Sequence, residues 1–245
     1  MKFDKISLKY ILVISIIINI FLIISIINCS APPRWKNVFY NKQYTALKPD
    51  NYYKNRVDTY RILNSNYKKK IMFIGDSIID GCEWHELFAN DEVNIVNRGI
   101  NGDRLEGLLE RIDMLLQEEP LKIVLMIGIN NLQHGDTTDS ILSKYKKVFS
   151  KIHRVLPQTE VIVVSILPVS KNIAQITAIN SNNKISNLNQ KVKDLTNRYR
   201  YEYIDVYNEF LKEGYLNDEY SYDGLHPNGN GYIILKSSIN KFLNI

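Results

Sequence analysis

At 245 residues, with 45% hydrophobic and 23% charged side chains, the chain has room for one α/β domain of about two hundred residues and a small appendage, and its composition excludes a disordered protein. The formal net charge of +5 is mild, and no basic run interleaved with aromatics occurs beyond Lys68, Lys69 and Lys70, which read as a solvated strand start, so no nucleic-acid partner is expected. Of the two cysteines, Cys29 and Cys82, only Cys82 lies in the body of the chain, which excludes a disulfide within the domain.

Residues 1–30 differ from everything after them. From Tyr10 to Asn28 there is no charge, and only Ser15, Asn19, Ser25 and Asn28 interrupt the apolar run. As a helix rising ~1.5 Å per residue this stretch nearly matches a ~30 Å hydrocarbon layer, which predicts one N-terminal transmembrane helix. Lys2, Lys5 and Lys9 precede it and favour an N-terminus left in the cytoplasm, with the domain on the extracytoplasmic side. Cys29 follows Ile26-Ile27-Asn28, faintly like a bacterial lipoprotein processing site, although Asn28 stands where a small residue is usual; an uncleaved anchor is favoured over lipidation. Residues 31–69 read as a tether that ends in a short packing helix with Tyr53, Val57 and Tyr60 on one face, and residues 70–245 as the main domain.

Within that domain, apolar runs at 70–75, 93–97, 121–127, 161–167 and 202–206 read as strands. Between the second and third, Leu105, Leu108, Leu109, Ile112, Leu115 and Leu116 recur at helical spacing, with Asp103 placed to cap the start and Pro120 beyond the end. Amphipathic patterns over 138–155, 182–198 and 229–243 predict further helices. Nearly continuous apolar strands separated by helices indicate a parallel sheet covered on both faces. Ligands in such sheets sit beyond the carboxyl ends of the strands. The loops there carry Gly75-Asp76-Ser77, "NRGINGD" at 97–103, "GINN" at 128–131 and "YDGLHPNGNGY" at 222–232.

A reactive serine needs a base, a partner that orients the base, and donors for the oxyanion formed on attack. Of four histidines, His153 reads as surface and His85 and His134 as possible substrate contacts, whereas His226 has Asp223 three residues before it in a Gly- and Pro-held loop. The carboxylate of a D-x-x-H turn can reach the imidazole Nδ1 while Nε2 points at a hydroxyl. The start of the 105–116 helix, Gly102, the Asn130 carboxamide and the Ser77 N–H are candidate donors, and Asn130→Ala is expected to cripple turnover. No histidine or cysteine pair has metal-ligand spacing, so neither metal nor cofactor is expected.

"GDS" at 75–77, "NGD" at 101–103, "GxN" at 128–130 and "DxxHP" at 223–227 together resemble the four blocks of the SGNH or GDSL hydrolases, in order and at compatible spacing, over about residues 52–240. "DGCEWHELF", "NRGINGD" and "DGLHPNGNGY" are most like the bacterial platelet-activating-factor acetylhydrolase and lysophospholipase-like branch. The resemblance implies a three-layer α/β/α sandwich with a five-stranded parallel, flavodoxin-like sheet. It also implies Ser77 as nucleophile, His226 as base then acid, Asp223 as its orienter, and the Ser77 N–H, Gly102 and Asn130 as oxyanion hole. Arg104 and Asn131 depart from the usual Thr and Asp; with Asp76, His85 and His134 they are expected substrate contacts.

The expected activity is a serine esterase. A surface-anchored binding module with a silent site, and an enzyme using Cys82 as nucleophile, are the alternatives from other classes. With no space for a cap domain, and 168–182 the longest unassigned loop, the site should be shallow and favour short acyl chains such as acetyl groups on a glycan. The membrane tether would instead bring lysophospholipids close. Sixteen tyrosines could line a sugar-binding surface or reflect compositional bias.

Overall fold

The computed structural model describes residues 51–63, 69–89 and 93–243. The expected anchor at 1–30, Cys29 and most of the tether lie outside these residues. Among the described residues no helix is long and apolar enough to cross a membrane.

Five strands, β1 (Lys70–Gly75), β2 (Asn94–Gly99), β3 (Lys122–Met126), β4 (Glu160–Val164) and β5 (Glu202–Ile204), form one sheet in the order β2-β1-β3-β4-β5. All four pairings are parallel. The chain turns one way from β1 to reach β2 and the other way to reach β3, so the carboxyl end of β1 is the point where strand order reverses and where such sheets bind ligands. Gly75 is in register with Gly99 on one side and Met126 on the other, which puts the ends of three strands level.

The helices are α1 (Asn51–Ile62), α2 (Ser77–Asp80), α3 (Trp84–Phe88), α4 (Leu105–Leu116), α5 (Ile129–Gln133), α6 (Thr138–Val155), α7 (Lys171–Ile176), α8 (Asn182–Arg198) and α9 (Gly229–Leu243). The period of two along β1 sends Met72 and Ile74 into one core and Ile71 and Phe73 into another. The first core is closed by α4, α6 and α8, through residues such as Leu108, Ile112, Val148, Phe149 and Leu188. The second is closed by α2, α3 and α9, with Phe73 stacked on Trp84 at 4.6 Å. These are the three layers expected.

The strand boundaries differ where side chains compete with the ladder. β2 runs on to Gly99 because Arg98 is buried in a two-bond pairing with Glu118, at 2.9 Å for each bond. Lys70, expected to be solvated, is 4% exposed and lies 3.4 Å from the same carboxylate. Charge signals an outward face in sequence, but here opposite charges compensate one another inside. β4 and β5 stop early because the Ser165 hydroxyl accepts the N–H groups of Val206 and Tyr207, and Asn189 Oδ1 accepts that of Ile166. The 168–182 stretch holds α7, capped by Ser170, and Leu211–Lys212 pairs with Tyr215–Leu216 in a small hairpin not foreseen. α1 packs at the edge strand: Tyr60 is buried with its hydroxyl on the Gly99 carbonyl, and the Tyr53 hydroxyl donates to the Gly107 carbonyl in α4 at 2.8 Å.

Candidate active site

Two glycines seat the turn that carries Ser77. A Cβ on Gly75 would lie 2.1 Å from the Met126 carbonyl oxygen and 2.4 Å from Ile79 Cγ1, and one on Gly99 would lie 2.3 Å from the Asp80 nitrogen. Without those atoms α2 drops onto the level ends of β1, β2 and β3, and the strand breaks into a helix within one residue. Asp76 is the cap of that helix, its Oδ1 accepting the Ile78 N–H at 3.1 Å. It is 1% exposed, and burial pushes its carboxyl up to about 7 despite the backbone N–H groups of Ile78 and Gly128. Asp76 therefore positions the turn and is not the substrate contact expected from sequence.

The loop before α9 is built as tightly. The Ser221 hydroxyl donates to the His226 carbonyl at 2.7 Å and accepts the Gly224 N–H at 2.9 Å. Gly224 has φ +83°, a Cβ there would lie 2.2 Å from Ser170 Oγ, and its carbonyl accepts the Ser170 N–H at 2.8 Å, so the loop is clipped to the segment after β4. Asp223 Oδ1 accepts the N–H groups of Leu225 and His226, at 2.9 and 2.8 Å, and Oδ2 lies 2.6 Å from His226 Nδ1. Burial alone would raise the Asp223 carboxyl, but the His226 ring and these two backbone donors outweigh it and hold it below its ordinary value. With Nδ1–H engaged by the carboxylate, the lone pair of Nε2 faces outward. It meets Ser77 Oγ at 2.9 Å across 149 positions of sequence. The arrangement can take a proton from the hydroxyl and return it to a leaving group.

The other two loops bracket Ser77. Gly102 has φ +74° and nothing within 4 Å of an added Cβ, leaving its backbone open to an approaching ligand. The Asn130 amide donates to the Asp103 carbonyl at 2.9 Å with one of its two N–H groups, which ties α5 to the 101–103 loop. Asp103 does not cap α4. Its Oδ2 accepts from buried Arg111 at 3.0 Å, and Arg111 also donates to the carbonyls of Arg98 and Gly75. The first N–H of α4, from Leu105, is instead taken by Asn131 Oδ1 at 3.0 Å. Asn131 is fully buried, and its amide donates to Glu106 and Asp136, so it is a cap rather than a substrate contact.

The GDSL-like Lipase/Acylhydrolase family matches residues 73–234, from inside β1 to inside α9. The chain belongs to this family. It is 28% identical over 171 residues to the platelet-activating factor acetylhydrolase IB subunit alpha1 of Rattus norvegicus, covering 66% of this chain and 70% of the relative. A structure from Streptococcus pneumonia described as a platelet activating factor superposes with a TM-score of 0.72 at 31% identity, covering 87% of this chain and all of that one. An acetylxylan esterase from Geobacillus stearothermophilus shares the fold alone, with a TM-score of 0.59, 19% identity, and 73% and 95% of the two chains covered. The protein is thus a carboxylic ester hydrolase.

In this GDSL-like hydrolase none of the remaining candidates is hydrogen-bonded to the Ser77–His226 pair, whose side chains bond to each other and to Asp223. His85 is exposed in α3 with Glu86 3.6 Å away, and His134 is exposed at the end of α5 with Asp136 at 3.6 Å; neither bonds to the pair. Arg104 is half-buried at the residue before α4. Cys82 is buried, and burial, with the Glu83 charge, pushes its thiol up to about 12, so it holds no thiolate for attack at neutral pH. Tyr222, which carries no motif signal of its own, adjoins the site: 74% exposed, it stacks on the His226 ring at 6.1 Å and 16°. Its position directly before Asp223 was the available signal. Among the described residues no group of three or more His, Cys, Asp or Glu is placed to hold a metal.

Proposed function

We propose that this hydrolase cleaves acetyl or other short-chain O-acyl esters through an acyl-enzyme on Ser77. Ser77 attacks the ester carbonyl as His226 takes its proton, and the Ser77 and Gly102 N–H groups with the free N–H of Asn130 hold the oxyanion. His226 then gives the proton to the leaving alcohol, and a water activated by the same imidazole releases the acid. Asp223 holds the imidazole in the required tautomer. The observation that carries this reading is the continuous chain of contacts from Asp223 Oδ2 to His226 Nδ1 at 2.6 Å and from Nε2 to Ser77 Oγ at 2.9 Å.

The acetyl preference is supported by the name of the rat relative, an acetylhydrolase, and by the 168–182 loop, the longest left unassigned in sequence, which contributes only the six-residue α7. The uncharged stretch 10–28 supports an enzyme anchored in a membrane and working outside the cytoplasm. That anchor by itself would favour a lysophospholipid, and it is the short-chain preference that favours an O-acetylated glycan. A fluorophosphonate should label Ser77, and rates on p-nitrophenyl esters should fall from C2 to C12. A folded Ser77→Ala variant with undiminished hydrolysis would remove the reading, and a maximum at long chains would move it to lipid substrates.

A further inference from the structure

α1 lies wholly upstream of the region the family matches, yet its side chains reach the active-site loops. The point of contact is Asp80, the last residue of α2 and three positions after Ser77. Its side chain is 10% exposed and receives three donors from two other elements. Asn101, the neighbour of Gly102, donates its backbone N–H to Oδ2 at 3.0 Å. The Tyr52 hydroxyl donates to the same oxygen, and Arg56 donates to Oδ1 at 2.8 Å. Arg56 is braced in turn by the Tyr60 hydroxyl at 2.6 Å and lies over the Tyr60 ring at 4.8 Å. Burial and then the Asp80 bond push the Tyr52 phenol up to about 12, so it stays protonated and donating at neutral pH.

An exposed ion pair would be worth little, because water competes for both partners. Asp80 differs in being screened from water and in spanning elements with different tasks. One oxygen ties the turn that bears the nucleophile to the peptide beside Gly102, and α1 fixes the rotamer that makes this bond possible. Preorganised donors stabilise an oxyanion only if they are held at their distance before the charge develops. We propose that Asp80, held by Tyr52 and Arg56, is a positioning residue that sets the Gly102 backbone against Ser77, making the upstream helix α1 a working part of the esterase site. The inference rests on the assignment of Gly102 as an oxyanion donor.

The test uses the full chain and p-nitrophenyl acetate. Asp80→Ala should lower kcat about 10- to 100-fold with KM little changed, since the loosened donor acts chiefly in the transition state. Asp80→Asn keeps an oxygen for the Asn101 N–H and should recover most of that loss. Tyr52→Phe, at a position 42% exposed and safe for folding, should give a smaller fall in kcat. Affinity for a phenylboronic acid, which forms a tetrahedral adduct on the serine, should weaken in parallel with kcat across the three variants. A purely structural role predicts lower melting temperatures with kcat and boronate affinity unchanged below them, and that result would overturn the proposal. If Ser77→Ala retains full activity the underlying catalytic reading fails; if Ser77 is labelled and Asp80→Ala is fully active, the positioning role alone fails.

Discussion

Gly75→Ala tests why the first strand ends as it does. The added methyl would lie 2.1 Å from the Met126 carbonyl oxygen, about 1 Å inside the closest contact a real Cβ makes. Met126 ends the central strand β3, bonded on both sides, so the backbone oxygen cannot retreat. Ile79 Cγ1, at 2.4 Å, blocks the other direction. α2 must therefore lift by about 1 Å, and Ser77 with it. Overpacking of this kind costs about 1–3 kcal/mol of stability, and a 1 Å misplacement at a reacting centre costs about 100-fold in rate. The 2.9 Å contact between Ser77 Oγ and His226 Nε2 would lengthen beyond hydrogen-bonding reach. Measured on p-nitrophenyl acetate well below the melting temperature, kcat/KM should fall about 100-fold while the variant stays folded by circular dichroism. A folded variant within about twofold of the parent would show that the glycine serves the strand end alone, and that the seating of α2 does not set the nucleophile.

Asn130 and Asn131 should separate cleanly despite being neighbours. Asn130→Ala should cost about 3–4 kcal/mol of transition-state stabilisation with little change in melting temperature, whereas Asn131→Ala, which strips the acceptor from Leu105 N–H, should cost about 1–3 kcal/mol of folding stability in urea titrations. Equal effects on rate and stability in both variants would refute the division. Stability should also depend on pH through Asp76. Its carboxyl titrates near 3.8 when unfolded and at about 7 in the fold, so between these values the folded state holds the extra proton. Its contribution is complete below pH 3.8 and lost as pH rises to about 7, a difference of about 4 kcal/mol. Urea unfolding from pH 4 to 8 should show the parent losing stability relative to Asp76→Asn, and a constant gap would refute the assignment. Asp223 works in the opposite sense, its carboxyl being held low, so its contribution is present above 3.8 and lost as the solution is made more acidic.

The helices expected over 138–155, 182–198 and 229–243 are α6, α8 and α9, and the strand expected at 70–75 is β1. These were readable because a period of two or 3.6 is a local property of the chain. The same holds for the "DGLH" turn, whose carboxylate reaches its own imidazole through bonds spanning only three residues. Polar residues near the strand ends were harder. Asp76 and Asn131 read as substrate contacts and Asp103 as the cap of α4, but each faces inward, where a neighbouring N–H or guanidinium awaits it. Lys70, read as a solvated strand start, is buried for the same reason, since a charge reads as exposed until its partner from another element, here Glu118, is known.

Sequence alone determined the alternation of strand and helix, the chain order of the four loops and the chemical groups in each, because pattern and residue type need no knowledge of distant neighbours. Tertiary structure decided which of those groups meet. Ser77 and His226 come together because strand order reverses at β1, and Asp80 joins α1 to the Asn101 peptide because two glycines let α2 settle between the strands. Contacts between residues far apart in sequence depend on the packing of every layer between them, and no local pattern encodes that sum.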